Sequence, residues 1–386
     1  MDIKAIDASF IANTYARADV VFVSGNGSTL TDENGKNYID FGSGIAVNIL
    51  GHNFGPWKDA VISQINQIAH TSNLYYSKPS AILASKLHEL TGMKKVFFSN
   101  SGAEANECAV KCARKYSFDK YGEGRNKIIT LLNSFHGRTV ATLTATGQES
   151  MHKYFNPFLE GFDYVPANDF AALKEKADNK TCAVMLELVQ GEGGVNSLDK
   201  DFVKNVAELC REKDILLIID EVQTGNGRCG KLYAYMHYGI QPDIVTTAKG
   251  LAGGLPLGAT MLWDKCENTF TAGTHGSTFG GNPVACAGAA AVLDNITDEL
   301  LDSVSKKSKK IREELKGLKN VKSVTGLGLM LGIEVEGMTA AEAAAKMREK
   351  GLIVLTAKSK IRLLPALNIT DSELCAGLEI MKEVLR

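Results

Sequence analysis

The stretch Ile215-Leu216-Leu217-Ile218-Ile219-Asp220-Glu221-Val222-Gln223 decides the fold. Five consecutive apolar residues leave no polar face, and a strand apolar on both sides belongs to a parallel sheet covered by helices above and below. The run then stops on an acid. In such sheets ligands sit at the carboxyl ends of the strands, so Asp220 stands where chemistry is done. A carboxylate in that position needs a partner, because burying it alone costs several kcal/mol.

Working outward, Val96–Phe98, Lys127–Leu131, Ala183–Leu188 and Ile244–Thr247 read as further short β-rich runs, separated by segments of helical period such as Ala103–Phe118 and Phe202–Lys213. The alternation predicts an α/β fold with helices on both sides of a mostly parallel sheet. Past about residue 290 the pattern changes. A long polar helix precedes a strand at Gly326–Val335 and a helix at Thr339–Lys350, then short strands at Leu352–Leu355 and Arg362–Leu364 and a helix from Asp371. The expected organisation is an N-terminal segment (1–44) joining a small domain, a large domain (45–289) and a smaller α+β domain (290–386).

With 386 residues, 43 basic against 44 acidic side chains and 45% apolar residues, the chain has a large core and no global field to draw it onto nucleic acid or anionic lipid. Lys306 to Lys310 read as the solvated face of a helix. The start lacks a signal-peptide pattern and no apolar run is long enough to span a membrane, so the expected location is cytoplasmic. Eight scattered cysteines form no zinc-type spacing and read as reduced, buried thiols, with no metal site expected.

Two more features share the strand-end theme. Phe97-Phe98-Ser99-Asn100-Ser101-Gly102-Ala103-Glu104 passes from strand to helix through the capping pattern Ser101-x-x-Glu104. Its free N–H groups and the missing Cβ of Gly102 suit an anion such as phosphate. The run Ile244–Thr247 ends in Ala248-Lys249-Gly250, which places a lysine in reach of the same crevice as Asp220. Burial would lower its pKa and make the amine nucleophilic. A competing pattern is Gly225-Asn226-Gly227-Arg228-Cys229-Gly230, a literal dinucleotide fingerprint that would suit a nicotinamide-dependent oxidoreductase. Four residues separate it from the strand and Pro242 leaves no room for the long crossover helix, so the fit is poor.

Six ordered motifs resemble the class III aminotransferases: NSGAEANE (100–107), SFHGRT (134–139), QGEGG (190–194), DEVQTGNGR (220–228), TTAKG (246–250) and HGSTFGGNP (275–283). The resemblance spans nearly the whole chain and implies the type I pyridoxal-phosphate transferase fold. It implies pyridoxal 5'-phosphate held on Lys249, with Asp220 facing the ring nitrogen and Gly102 and Ala103 on the phosphate. Phe135 and Val222 would pack against the ring, while Gln223 and Glu221 would stand beside it. By the same resemblance Thr278 reaches the phosphate of a second copy, making a homodimer with a shared site. Arg138, Ser277 and Arg362 would bind substrate, with Glu192 pairing Arg362 until a dicarboxylate displaces it. The implied reaction moves the δ-amino group of N-acetyl-L-ornithine to 2-oxoglutarate, with ornithine, succinylornithine, succinyldiaminopimelate or 4-aminobutyrate as other possible donors. The chain departs from the family pattern at Gly51-His52-Asn53-Phe54-Gly55 and at Leu188, where G-H-x-H-P and a proline are usual.

Overall fold

A computed structural model describes residues 2–386. Its largest sheet has seven strands in the spatial order Lys95–Ser99, Gly258–Leu262, Ile244–Thr247, Leu216–Asp220, Thr181–Leu186, Lys127–Leu131 and Phe162–Val165. Every neighbouring pair is parallel except those made by Gly258–Leu262, which runs antiparallel to both of its neighbours. Along the central strand Leu217 and Ile219 enter one apolar cluster, while Leu216 and Ile218 enter another on the opposite face. The uninterrupted apolar run is thus explained by burial on both faces.

One face is covered by the helix Gly102–Tyr121, whose Ala105, Cys108, Ala109, Cys112 and Ala113 are all fully buried. Small side chains let its backbone lie close to the sheet. The other face is covered in part by Lys200–Glu212, which buries Phe202, Val203, Val206 and Leu209 at helical spacing. Seven of the eight cysteines are buried and all eight are free thiols.

The smaller part is built on a four-stranded antiparallel sheet in the order Val321–Leu327, Met330–Val335, Lys360–Leu363, Leu355–Ala357. Two readings of the sequence need correction here. Gly326–Val335 is not one strand but the turn and second arm of a hairpin, because Gly328 takes a φ of 55° and reverses the chain. Leu352–Leu355 is split between two sheets: Leu352–Ile353 pairs parallel with Asn37–Asp40, and Leu355–Ala357 joins Lys360–Leu363. The N-terminal strands Phe22–Asn26, Thr29–Asp32 and Asn37–Asp40 are tied to the C-terminal part by that parallel pairing. Helix Pro283–Asp294 runs straight through position 289, so the chain leaves the large sheet's layer only after Asp294. Among the described residues no helix is long and apolar enough to cross a membrane.

Ile218→Ala should lower stability by about 2–5 kcal/mol, the cost of a cavity in a close-packed site. Denaturant titration checks this, and a loss under about 1 kcal/mol would contradict burial on both faces.

Candidate active site

Strand parity aims Asp220 toward the helix Gly102–Tyr121, the side already taken by Leu216 and Ile218. There its Oδ2 accepts from Asn106 Nδ2 at 2.7 Å and pairs with His136 Nδ1 at 2.8 Å, while its Oδ1 accepts from the Val222 N–H at 3.0 Å. Asn106 is fixed in turn, donating to the His136 carbonyl and accepting from Thr246 Oγ1. Burial acts to lower the His136 pKa, but the hydrogen bond and charge of Asp220 outweigh it, and the net shift is upward. The imidazole and carboxylate together form a buried pair at the floor of a cavity of about 400 Å³.

Lys249 lines the same cavity. Register sets Asp220 opposite Thr246, so the lysine comes three residues past that level, where the strand breaks into the short helix Lys249–Ala252. Its φ of 44° is a left-handed conformation costly for a side chain with a Cβ. Asn226 holds the strained turn, donating from Nδ2 to Thr247 Oγ1 at 2.9 Å and to the Ala248 carbonyl at 3.2 Å. Burial lowers the lysine pKa, with Arg362 adding to that and the charges of Glu192, Asp220 and Glu187 opposing it.

The helix start forms another wall. Ser101 Oγ accepts from the Glu104 N–H at 3.1 Å. Glu104 does not close the expected box on Ser101; it reaches one residue further back, to the Asn100 N–H at 2.5 Å. Gly102 and Ala103 border the cavity with first-turn N–H groups that an α-helix leaves unpaired. A Cβ on Gly102 would lie 2.6 Å from Val222 Cγ1, so glycine is what allows Val222 to reach the cavity.

Arg362, only 3% exposed, donates from Nη1 to Glu192 Oε1 at 2.5 Å and to Gln223 Oε1 at 3.2 Å. Gln223 itself lines the cavity, as do Phe135 and the exposed Arg138, whose guanidinium carbon lies 5.6 Å from the Phe135 ring centre. Glu187, buried beside them, accepts from the Phe135 N–H at 2.8 Å and from the Gly191 N–H at 3.3 Å. Burial pushes its carboxyl up to about 7.

One expected contact is not brought in, and another was expected only from a second copy. Glu221 has the opposite parity from Asp220, and its carboxylate is taken by Thr224 Oγ1 at 2.5 Å and the Tyr235 N–H at 2.8 Å, away from the cavity. Thr278 is exposed on the loop after Gly273 and does not border this chain's cavity. Ser277 is anchored near the rim, its Oγ accepting from Asn100 Nδ2 at 3.1 Å. Sequence reasoning missed His136, Asn106, Asn226 and Glu187 as site residues. Three of these lie inside quoted motifs, so the signal was present, but nothing in one sequence says which motif positions face inward.

These residues fit pyridoxal phosphate: a nucleophilic amine of lowered pKa, a buried carboxylate for the ring nitrogen, an aromatic plate and uncapped helix N–H groups for a phosphate, all on one cavity. The fold and site define a pyridoxal-phosphate enzyme of the α/β type. More narrowly, the chain belongs to the class-III aminotransferases, whose family description matches residues 10–385. It is 52% identical to an acetylornithine aminotransferase of Haemophilus ducreyi, over 99% of this chain and 98% of that one. A succinylornithine transaminase of Citrobacter koseri is 43% identical over 95% of this chain and 92% of its own length. Among solved structures, an ornithine aminotransferase of Toxoplasma gondii superposes with a TM-score of 0.95 at 32% identity, covering 99% of this chain and 94% of that chain.

The His136 pair has a pH signature. Since the folded value lies above the unfolded value of about 6.5, the pair stabilises fully at lower pH and loses its contribution as pH rises through the folded value. Asp220→Asn should move the His136 ring titration, followed by NMR, to lower pH. An unmoved titration would show that the carboxylate does not set it.

Proposed function

We propose that the protein transfers the δ-amino group of N-acetyl-L-ornithine to 2-oxoglutarate, giving N-acetyl-L-glutamate 5-semialdehyde and glutamate. The observation that carries this reading is the closed pair of Arg362 and Glu192 next to Lys249. A site that handles both an ω-amine and a dicarboxylate must offer a cation to one and hide it from the other. Facing the bare methylene chain of an ω-amine, an unpaired Arg362 would cost about 3–5 kcal/mol, and Glu192 removes that cost by pairing with it. A dicarboxylate instead brings its own carboxylate, which suits the guanidinium fork in two-pronged fashion.

When bound, pyridoxal phosphate supplies an electron sink for the carbanion formed at the amine-bearing carbon. The residues of this chain do the rest. Asp220, held by three hydrogen bonds, keeps its negative charge fixed at the cavity floor, where it would hold a proton on the ring nitrogen. Lys249 Nζ, its pKa lowered by burial, would accept the proton released at the amine-bearing carbon. Phe135 covers one face of the cavity, and the Gly102 and Ala103 N–H groups would bind the phosphate. Arg138, at the open rim, meets the α-carboxylate of the donor and Ser277 lies beside its path.

The reading includes a cytoplasmic homodimer in which Thr278 of one copy serves the cavity of the other. In support, Leu74, Tyr75 and Tyr76 are each more than 70% exposed, and Phe279 beside Thr278 is 60% exposed. Asn73 joins these two stretches by donating to the carbonyls of Ser277 and Gly280. So large an apolar display is unusual on a monomer.

Three measurements test the proposal. Purified enzyme assayed with N-acetylornithine, ornithine, succinylornithine, succinyldiaminopimelate and 4-aminobutyrate should show the highest kcat/KM for the first; preference for free ornithine overturns the choice of donor. Glu192→Ala should cut kcat/KM for the ω-amine by about 100-fold or more relative to that for glutamate, the equivalent of some 3 kcal/mol. An unchanged ratio removes the gate. Thr278→Ala should weaken cofactor retention on dialysis without changing the sedimentation coefficient, which should be that of a dimer; a monomeric wild type rules out the shared site.

A further inference from the structure

Of the glycine-spaced turn Gly225–Gly230 only Asn226 serves the Lys249 turn, and the segment is not followed by the crossover helix a dinucleotide site requires: the next helix is the four-residue Tyr235–Tyr238. What the turn does is aim Arg228 into the junction between the two large apolar cores. Arg228 is completely buried and is the largest such side chain among the described residues. Among the described residues no carboxylate forms a salt bridge with it, and of the carboxylates only the charge of Asp40 acts on it. Its Nη1 donates to two carbonyls of the C-terminal part, Leu329 at 3.2 Å and Pro365 at 2.5 Å. Its own carbonyl accepts from the Leu329 N–H at 3.0 Å. Nε and Nη2 have no partner among the described residues.

The backbone around it is shaped for close approach. Gly227, at a φ of 85°, could not carry a Cβ without meeting Leu367 Cδ1 at 2.9 Å. Across the junction Gly328, at a φ of 55°, has the Arg228 carbonyl oxygen 2.6 Å from where its Cβ would be. Glycine on both sides therefore lets two backbones touch, and the guanidinium fastens the contact. Burial lowers the guanidinium to about 10, which still leaves a cation at neutral pH. A well-packed apolar side chain of similar volume would fill this space without desolvating a charge. What it could not do is direct two hydrogen bonds into two separate segments.

One of those segments is Arg362-Leu363-Leu364-Pro365. We propose that Arg228 is a positioning residue for Arg362: by holding the Pro365 and Leu329 carbonyls it locks the C-terminal part onto the turn after Asp220, at the spacing that lets Arg362 reach Glu192 and Gln223. The inference rests on the reading of Arg362 as the dicarboxylate site. Without the lock, the strand Lys360–Leu363 keeps its pairing with Met330–Val335, but that hairpin and strand drift together away from the cavity. Dicarboxylate binding then suffers, whereas the Lys249 and Asp220 chemistry, lying entirely in the large sheet, does not.

The test compares wild-type holoenzyme with Arg228→Lys and Arg228→Met in two readouts. In kinetics, the KM for 2-oxoglutarate should rise about tenfold or more, while the single-turnover rate with a carboxylate-free primary amine stays within about twofold. In amide hydrogen exchange, peptides covering 360–367 and 326–332 should exchange faster, with 216–220 unchanged. Unchanged exchange in those peptides, or equal kinetic losses with both substrates, overturns the proposal. Should neither variant fold, Gly328→Ala loosens the same junction from its other side with the guanidinium intact, and must give the same pattern or the proposal fails. A wild type indifferent to dicarboxylates would instead overturn the reading of Arg362, and the exchange data would still decide the lock.

Discussion

A carboxylate buried at the end of the central strand constrains most of what surrounds it. Asp220 cannot stay ionised there without donors, and each donor comes from a different layer: Asn106 from the covering helix, His136 from the loop after the Lys127–Leu131 strand, and the Val222 N–H from its own turn. Satisfying one charge therefore fixes the relative position of a helix, a loop and two strands. Asn106 extends the constraint to Thr246 and so to the strand that delivers Lys249. The site is rigid because the fold must solve a desolvation problem at that point.

The extent to which this was legible in the sequence follows from the period of the signal. Ile215–Ile219 is apolar throughout, and the two opposed clusters that receive its alternate residues are the direct physical counterpart. Lys249 and Asp220 were visible as polar residues abruptly ending apolar strands. Glu221 was not assigned correctly, because a one-residue step flips a side chain across the sheet and motif membership carries no parity. The hairpin at Gly326–Val335 looked continuous since Gly-Leu-Gly-Leu keeps the alternation of a strand through its own turn. Gly258–Leu262 escaped notice for a similar reason: its glycines and proline neighbours read as flexible, while its five residues are all buried.

The cavity draws on two cores. Lys249, Asp220, Phe135 and the helix start belong to the large sheet, whereas Arg362 belongs to a sheet built from the C-terminal part. The Arg362 charge is thus supplied by an element whose distance from Lys249 and Asp220 is set by a junction. Glu192 and Gln223 reach toward Arg362 from the large side, and Arg228 reaches across toward Pro365. Arg362 and Lys249 are consequently held by strands of two different sheets.

The antiparallel strand Gly258–Leu262 bears on how the molecule comes into being. It lies between Lys95–Ser99, which feeds the helix Gly102–Tyr121, and Ile244–Thr247, which feeds Lys249, and pairs with both. During synthesis Lys95–Ser99 must wait for roughly 160 further residues before it can join the sheet, a long-range pairing of the kind that slows folding. Until then the helix start is tied to the strand that leads to the lysine through Asn106 and its bonds to Asp220 and Thr246, without a continuous sheet beneath it. The cavity wall is therefore among the last parts of the large sheet to be completed, and a nascent chain released before that strand emerges has every other strand of the sheet but a gap between Lys95–Ser99 and Ile244–Thr247.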